Sequence, residues 1–254
     1  MKTVVVLCVP RSGSSLLAGI LHHLGVYMGP SDHLEKGGHV NKHGCFENQD
    51  FLSLSHNILY EADSPVGLIE LPDETKLQSS VENNEQKIKS VINKHQQPLW
   101  GWKDPSTFHI IPYIHEFLEN PHYIVMKRNV NNIVNSTKKI AKMGKFFPSL
   151  KHELSLYESG QRLSVLKRFF SIYFSRGNVF KDAQVMRAVI KKSYKKMNHF
   201  SSDKKHLTLK FEQILNKPKK SIKRIARFLD IDLGDDEKFQ SALHFVNPDL
   251  VNFS

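Results

Sequence analysis

Short unbroken apolar runs alternate along the chain with longer stretches that carry helical spacing. The first run, Val4 to Val9, holds no polar residue and stops at Pro10. A strand without polar alternation is one buried on both faces, as in a parallel sheet covered by helices. Behind it, Leu16, Leu17, Ile20 and Leu21 recur at the spacing of one helical face, and Gly25 and Gly29-Pro30 mark that helix's end. The same order returns twice. A short strand within Leu99–Pro105 precedes a helix over 107–118, and a strand over 122–128 precedes a helix over 129–143. Helical spacing also marks 51–59, a charged surface stretch at 73–97, 163–173, 179–197 and 218–229. A short strand lies at 207–211, and residues from Asp230 onward read as a tail. Successive strand–turn–helix units predict an α/β fold of three layers, α/β/α, with a central parallel sheet.

The turn after the first strand, Pro10-Arg11-Ser12-Gly13-Ser14-Ser15, is where chemistry enters. It joins a strand end to a helix N-terminus, where unpaired N–H groups and the positive dipole end favour an anion. Gly13 permits positive φ or close approach, and Arg11 and three serines add donors. This reads as a phosphate-type loop; the alternative is an ordinary turn with a serine N-cap. The nucleotide-hydrolysing pattern is missing, since the basic residue precedes the glycine and no Lys follows it. A second candidate anion site pairs Arg128, at a strand end, with Ser136, eight residues on and two helical turns in. A guanidinium fork and a hydroxyl at one strand–helix junction suit a phosphate, although a surface Arg and an unrelated helix Ser would look the same.

Composition narrows this only modestly. The 254 residues suit one domain over 1–254 with a full core, and the net charge of +11 favours an anionic partner. Cys8 and Cys45 make neither a disulfide framework nor a metal cluster, which is the expectation for a reducing, cytoplasmic setting. The apolar run before Pro10 is too short for a signal peptide, and no stretch approaches the roughly 18 apolar residues of a membrane span. Residues 181–227 hold 15 Lys/Arg against 3 Asp/Glu. That excess reads either as a solvated face or as a bed for an anionic acceptor or polyanion. Without aromatic interleaving it does not point to nucleic acid.

The loop PRSGSSLL resembles the 5′-phosphosulfate loop of the sulfotransferases, and Arg128 with Ser136 resembles their 3′-phosphate motif. Three further stretches are similar to bacterial members in the same order: NKHGCFENQDFLSLSHNIL, GWKDPS, and LTLKFEQILNKPKKSIKRIARFLDI. The departures are Lys42 for a usual Pro, Ser14-Ser15 for Thr-Thr, Asn129-Val130 for Asp-Pro, and Phe211 for Tyr. The resemblance implies a P-loop NTPase-like sulfotransferase fold and 3′-phosphoadenosine-5′-phosphosulfate (PAPS) as the sulfuryl donor. It implies that the N–H groups of Ser12, Gly13, Ser14, Ser15 and Leu16 cradle the phosphosulfate, with the Ser14 and Ser15 hydroxyls on its oxygens. Arg128 and Ser136 then take the 3′-phosphate, and Arg11 stabilises charge on the bridging oxygen. Glu47 is the candidate base, with a solvated or helix-terminal carboxylate as its alternative. Lys103 is the candidate contact to the sulfonate or leaving group, unless Asp104 orients it by a salt bridge. No metal is required, and no cluster has metal-ligand spacing. The acceptor would be a hydroxyl or amine of a small molecule or carbohydrate. The competing readings are a P-loop nucleotide kinase and a non-catalytic nucleotide- or polyanion-binding protein. Oligomeric state stays open.

Overall fold

The structure, a computed structural model, describes residues 1–34, 45–64, 71–142, 151, 154–174, 182–234 and 236–246. In chain order the elements are β1 (Lys2–Leu7), α1 (Ser14–His23), α2 (Gln49–Glu61), α3 (Glu74–Asn83), α4 (Glu85–His95), β2 (Leu99–Lys103), α5 (Thr107–Ile114) and β3 (Pro121–Lys127). There follow α6 (Val130–Lys142), α7 (Ser159–Phe174), α8 (Ala183–Ser201), β4 (His206–Lys210), α9 (Phe211–Asn216), α10 (Pro218–Phe228) and α11 (Asp236–Phe245).

The four strands form one sheet in the order β2-β1-β3-β4, and every pairing is parallel. The unbroken apolar character of β1 follows from its central place. Its Val5 and Leu7 face a layer built from α2, α3, α4, α5, α6 and α8, while Val4 and Val6 face α1, α9, α10 and α11. With both faces covered, a polar side chain needs a partner of its own, as Thr3 has in the Glu119 carbonyl at 2.9 Å, and Val4 to Leu7 carry none. Parallel pairing puts all four strand C-termini on one edge. From β1 the chain passes to β2 on one side and then to β3 on the other. That reversal of direction opens a crevice at the strand ends, the usual ligand position in open α/β sheets.

Two aromatic contacts carry weight for the site. Phe51 of α2 stacks on Trp102 of β2 with centroids 4.3 Å apart and rings 5° from parallel. Trp102 in turn donates to Thr107 Oγ1 at 2.9 Å. The start of α2 is thereby pinned to the end of β2.

Two sequence expectations are corrected. Residues after Asp230 are not a tail: α11 forms there, burying Phe239, Ala242 and Val246 against α1. The acidic run before it hides a short apolar stripe, and the helix is stabilised by tertiary contact rather than by propensity. The predicted helix over 107–118 ends early, at Ile114, with a 3-10 turn over His115–Phe117. Phe146-Phe147-Pro148 and most of the loop at 31–44 lie outside the described residues.

Gly101 lets β2 approach β1, because a Cβ there would lie 2.0 Å from the Val4 carbonyl oxygen. Backbone cannot yield as a flexible side chain does. Gly101→Ala is expected to cost about 1–3 kcal/mol or more. Gly160→Ala, which meets nothing within 4 Å, should be near neutral. Urea unfolding of both variants checks the pair.

Candidate active site

The loop between β1 and α1 turns tightly. Arg11 (φ 64°) and Gly13 (φ 87°) both lie in the left-handed region, which costs Arg11 about 1–2 kcal/mol. At Gly13 no side chain would fit, since a Cβ would sit 2.1 Å from the Phe211 ring. Gly13 is also the N-cap of α1, and no side chain caps that helix. Its first-turn amides are left for an incoming acceptor. The hydroxyl of Ser12 is fully buried and has no hydrogen-bond partner. Such a group is costly unless something outside the chain completes it.

Two clusters flank this loop. On the β2 side, Lys103 ends its strand with 1% exposure and forms an ion pair with Glu47. Its Nζ also lies 3.5 Å from Ser15 Oγ. Burial alone would lower the Lys103 ammonium, but Glu47 together with Cys8 and Cys45 more than offsets it and the net shift is upward. Glu47 precedes α2 and is anchored by its neighbours on both sides. Phe46 packs against Phe245 of α11 and His22 of α1, with centroids 5.7 and 5.6 Å apart. Asn48 caps α2, accepting from Asp50 N at 3.0 Å, and lies 3.3 Å from His95 Nδ1 of α4.

On the β3 side, Arg11 Nε donates to Ser136 Oγ at 3.1 Å, and Arg128 Nη1 donates to the Arg11 carbonyl at 3.0 Å. Arg128 stacks on Phe211, 4.6 Å from the ring centroid, and its buried Nε has no partner. Burial lowers both guanidinium groups, and Arg128 lowers Arg11 further. Glu212 offsets part of the shift at Arg128. Tyr194 of α8 pins the Arg128 backbone, accepting from its N–H at 2.9 Å and donating to its carbonyl at 3.3 Å.

All ten residues singled out from sequence line this one crevice or its walls, though not all as expected. Ser14 is buried and hydrogen-bonds the Cys8 thiol rather than facing the loop mouth. Leu16 turns its side chain into the core, so only its N–H is offered. Asp104 does not orient Lys103. It is fully buried, with burial raising its carboxyl, and it accepts from Ser106 N at 2.8 Å and Thr107 Oγ1 at 3.3 Å. Its geometry is that of the turn into α5. Lys42 lies outside the described residues. Sequence reasoning missed Tyr194, which sat in an apolar helical stripe where a tyrosine is the one member with a polar end. It also missed the packing of Phe211 between Gly13 and Arg128.

Fold and site together define a parallel α/β protein with buried cations gathered at the first strand–helix turn. The model of the Sulfotransferase family matches residues 3–162, and the chain belongs to that family. Among solved structures it is similar to the sulfotransferase domain from the curacin biosynthetic pathway. That match has 18% identity and a TM-score of 0.50, covering 94% of this chain and 76% of that one. The sulfotransferase domain from the Synechococcus PCC 7002 olefin synthase matches at 16% identity and a TM-score of 0.49, covering 95% and 77%. No curated protein matches the sequence.

The buried ion pair predicts a stability cycle. Glu47→Ala strands the Lys103 ammonium and should cost about 3–5 kcal/mol, whereas Glu47→Leu with Lys103→Met should recover most of it. Denaturant midpoints of the unaltered chain and the two variants give the answer.

Cys8 makes a pH-dependent prediction. Burial pushes its thiol from 9.0 up to about 12. A raised thiol is kept un-ionised by the fold, so its stabilising contribution is complete below pH 9 and is lost as pH climbs toward about 12. Since the thiolate is the nucleophile, a thiol reagent at pH 8 should leave Cys8 unmodified until the protein unfolds. Mass mapping of the modified cysteines reads this directly.

Proposed function

We propose that this sulfotransferase-family protein moves a sulfuryl group from PAPS to a hydroxyl or amine, releasing adenosine 3′,5′-bisphosphate. The observation that carries the reading is the pair of unmet buried donors, Ser12 Oγ and Arg128 Nε, on either side of one uncapped helix N-terminus. A ligand with two separate anionic groups completes both; a singly anionic one leaves a donor stranded. The α1 amides with the Ser12 and Ser15 hydroxyls take the phosphosulfate end. Arg128 and Ser136 take the 3′-phosphate. Arg11, with its Nε held on Ser136, keeps four further N–H donors for anionic oxygens between the two ends.

The reaction is an in-line displacement at sulfur. The acceptor oxygen or nitrogen forms its bond to sulfur, and the bond from sulfur to the phosphate oxygen breaks with its electron pair. The Glu47 carboxylate receives the acceptor's proton. Lys103, paired with Glu47 beside Ser15, supplies the positive charge that meets the departing oxygen. Most of the catalytic work is positioning and fixed charge in a buried site. Cys8 and Cys45, neither of them in a disulfide, fit the cytoplasmic setting expected from sequence.

Calorimetric titration with adenosine 3′,5′-bisphosphate, against ATP with Mg²⁺ as comparator, tests the donor site. Metal-free binding of the bisphosphate is expected, weakened about 10- to 150-fold in Arg128→Ala, as loss of hydrogen bonds to a charged group implies. Preference for ATP with Mg²⁺, or no binding of either, would overturn the reading.

A further inference from the structure

Helix α10 breaks two local rules at once. Every exposed residue from Pro218 to Phe228 is Lys or Arg, namely Lys219, Lys220, Lys223, Arg224 and Arg227, and the exposed N-cap Lys217 makes a sixth cation. The first turn carries no acid, although a helix N-terminus favours anions and disfavours cations. Lys219 with Lys223, Lys220 with Arg224, and Lys223 with Arg227 are like charges one turn apart, each pairing unfavourable to the helix. A merely solvated face would intersperse carboxylates four residues before these cations, and none is there. Local conflicts of this kind mark places selected for something other than stability.

Among the described residues nothing nearby neutralises the stripe. None of the six cations forms an ion pair with a described residue. Of the acids on adjoining segments, Glu212 accepts from Asn129 N, Asp230 pairs with Lys2, and Asp232 accepts from Gly234 N. Lys223 lies 5.6 Å from the Phe239 ring centroid, a contact that leaves its charge in place.

We infer that the outer face of α10 is a docking surface for the anionic headgroups of a membrane. The apolar side of the helix is committed to the core, with Ile222, Ile225 and Ala226 buried. The contact is therefore coulombic, at headgroup level, with no side chain to insert. No described helix is long and apolar enough to cross a membrane, so the attachment is peripheral. The face holds no aromatic residue on which a base could stack. It is also dominated by lysine, whose point charge suits mobile anions better than the fixed forks that arginine provides. Six cations over about 16 Å of helix match the density that polybasic segments present to acidic lipid. The crevice opens at the strand ends, and α10 lies in one flanking layer, so docking leaves the crevice accessible. The inference stands independently of the donor reading.

Sedimentation of the full chain with vesicles tests it. The chain should bind equimolar phosphatidylserine–phosphatidylcholine vesicles, ignore phosphatidylcholine alone, and release at high salt. Lys220→Gln/Arg224→Gln/Arg227→Gln should weaken the partition about a hundredfold, at roughly fivefold per charge. A cooperative urea unfolding transition matching that of the unaltered chain would show that this variant is folded. If it fails to fold, the salt dependence and lipid preference of the unaltered chain decide alone. Equal binding to both vesicle types, equal binding by a folded variant, or capture by heparin or duplex DNA but not by vesicles would each overturn the inference.

Discussion

A buried ammonium sets the terms for the crevice. Lys103 ends β2 in a place almost without solvent, and such a charge is tolerated only with a partner beside it. The partner, Glu47, is 56 residues earlier in the chain and belongs to no regular element. Its placement needs α2 to lie on β2, which the stack of Phe51 on Trp102 secures. It also needs the residues around it to be fixed, which Phe46 and Asn48 accomplish from opposite sides. A displacement at either anchor would free the carboxylate, and the cost would fall on the lysine.

The rest of the crevice carries an excess of positive charge, which Glu212 offsets only in part at Arg128. Burial lowers both Arg11 and Arg128, and Arg128 lowers Arg11 further. Phe211 supports the Arg128 guanidinium from below and Tyr194 fixes its backbone, so neither cation can swing away to relieve the repulsion. That repulsion is a reservoir of binding energy for an anion entering between them. The arrangement is pre-organised electrostatics of the kind that stabilises charge developing in a reaction.

The sheet and most helices were legible from the sequence because burial on two faces leaves a simple signature. An apolar run bounded by a polar turn and a helical stripe admits few other readings. The turn after β1 was legible for a similar reason, since a glycine among short polar residues between an apolar run and a helical stripe leaves little but a tight turn. What could not be read were relations between distant segments. That Lys103 meets Glu47 and not the adjacent Asp104 depends on the stacking of α2, and Asp104 spends its carboxylate on the turn into α5. Tyr194 and Phe211 carry no local mark of their roles, because each acts on Arg128 from another element. Helix α11 escaped notice because its stability comes from α1.

That last relation bears on how the site is built. Phe245 lies against Gly19 so closely that a Cβ there would fall 2.0 Å from its ring, and its edge reaches Phe46. The most C-terminal described helix thus touches the residue next to Glu47, while α1, on which it packs, presents its own N-terminus to the crevice. One helix pair consequently supports both the β1–α1 turn and the Glu47 carboxylate across from it. Glu47 and the loop share a floor, so the distance between that carboxylate and the turn is set by core packing.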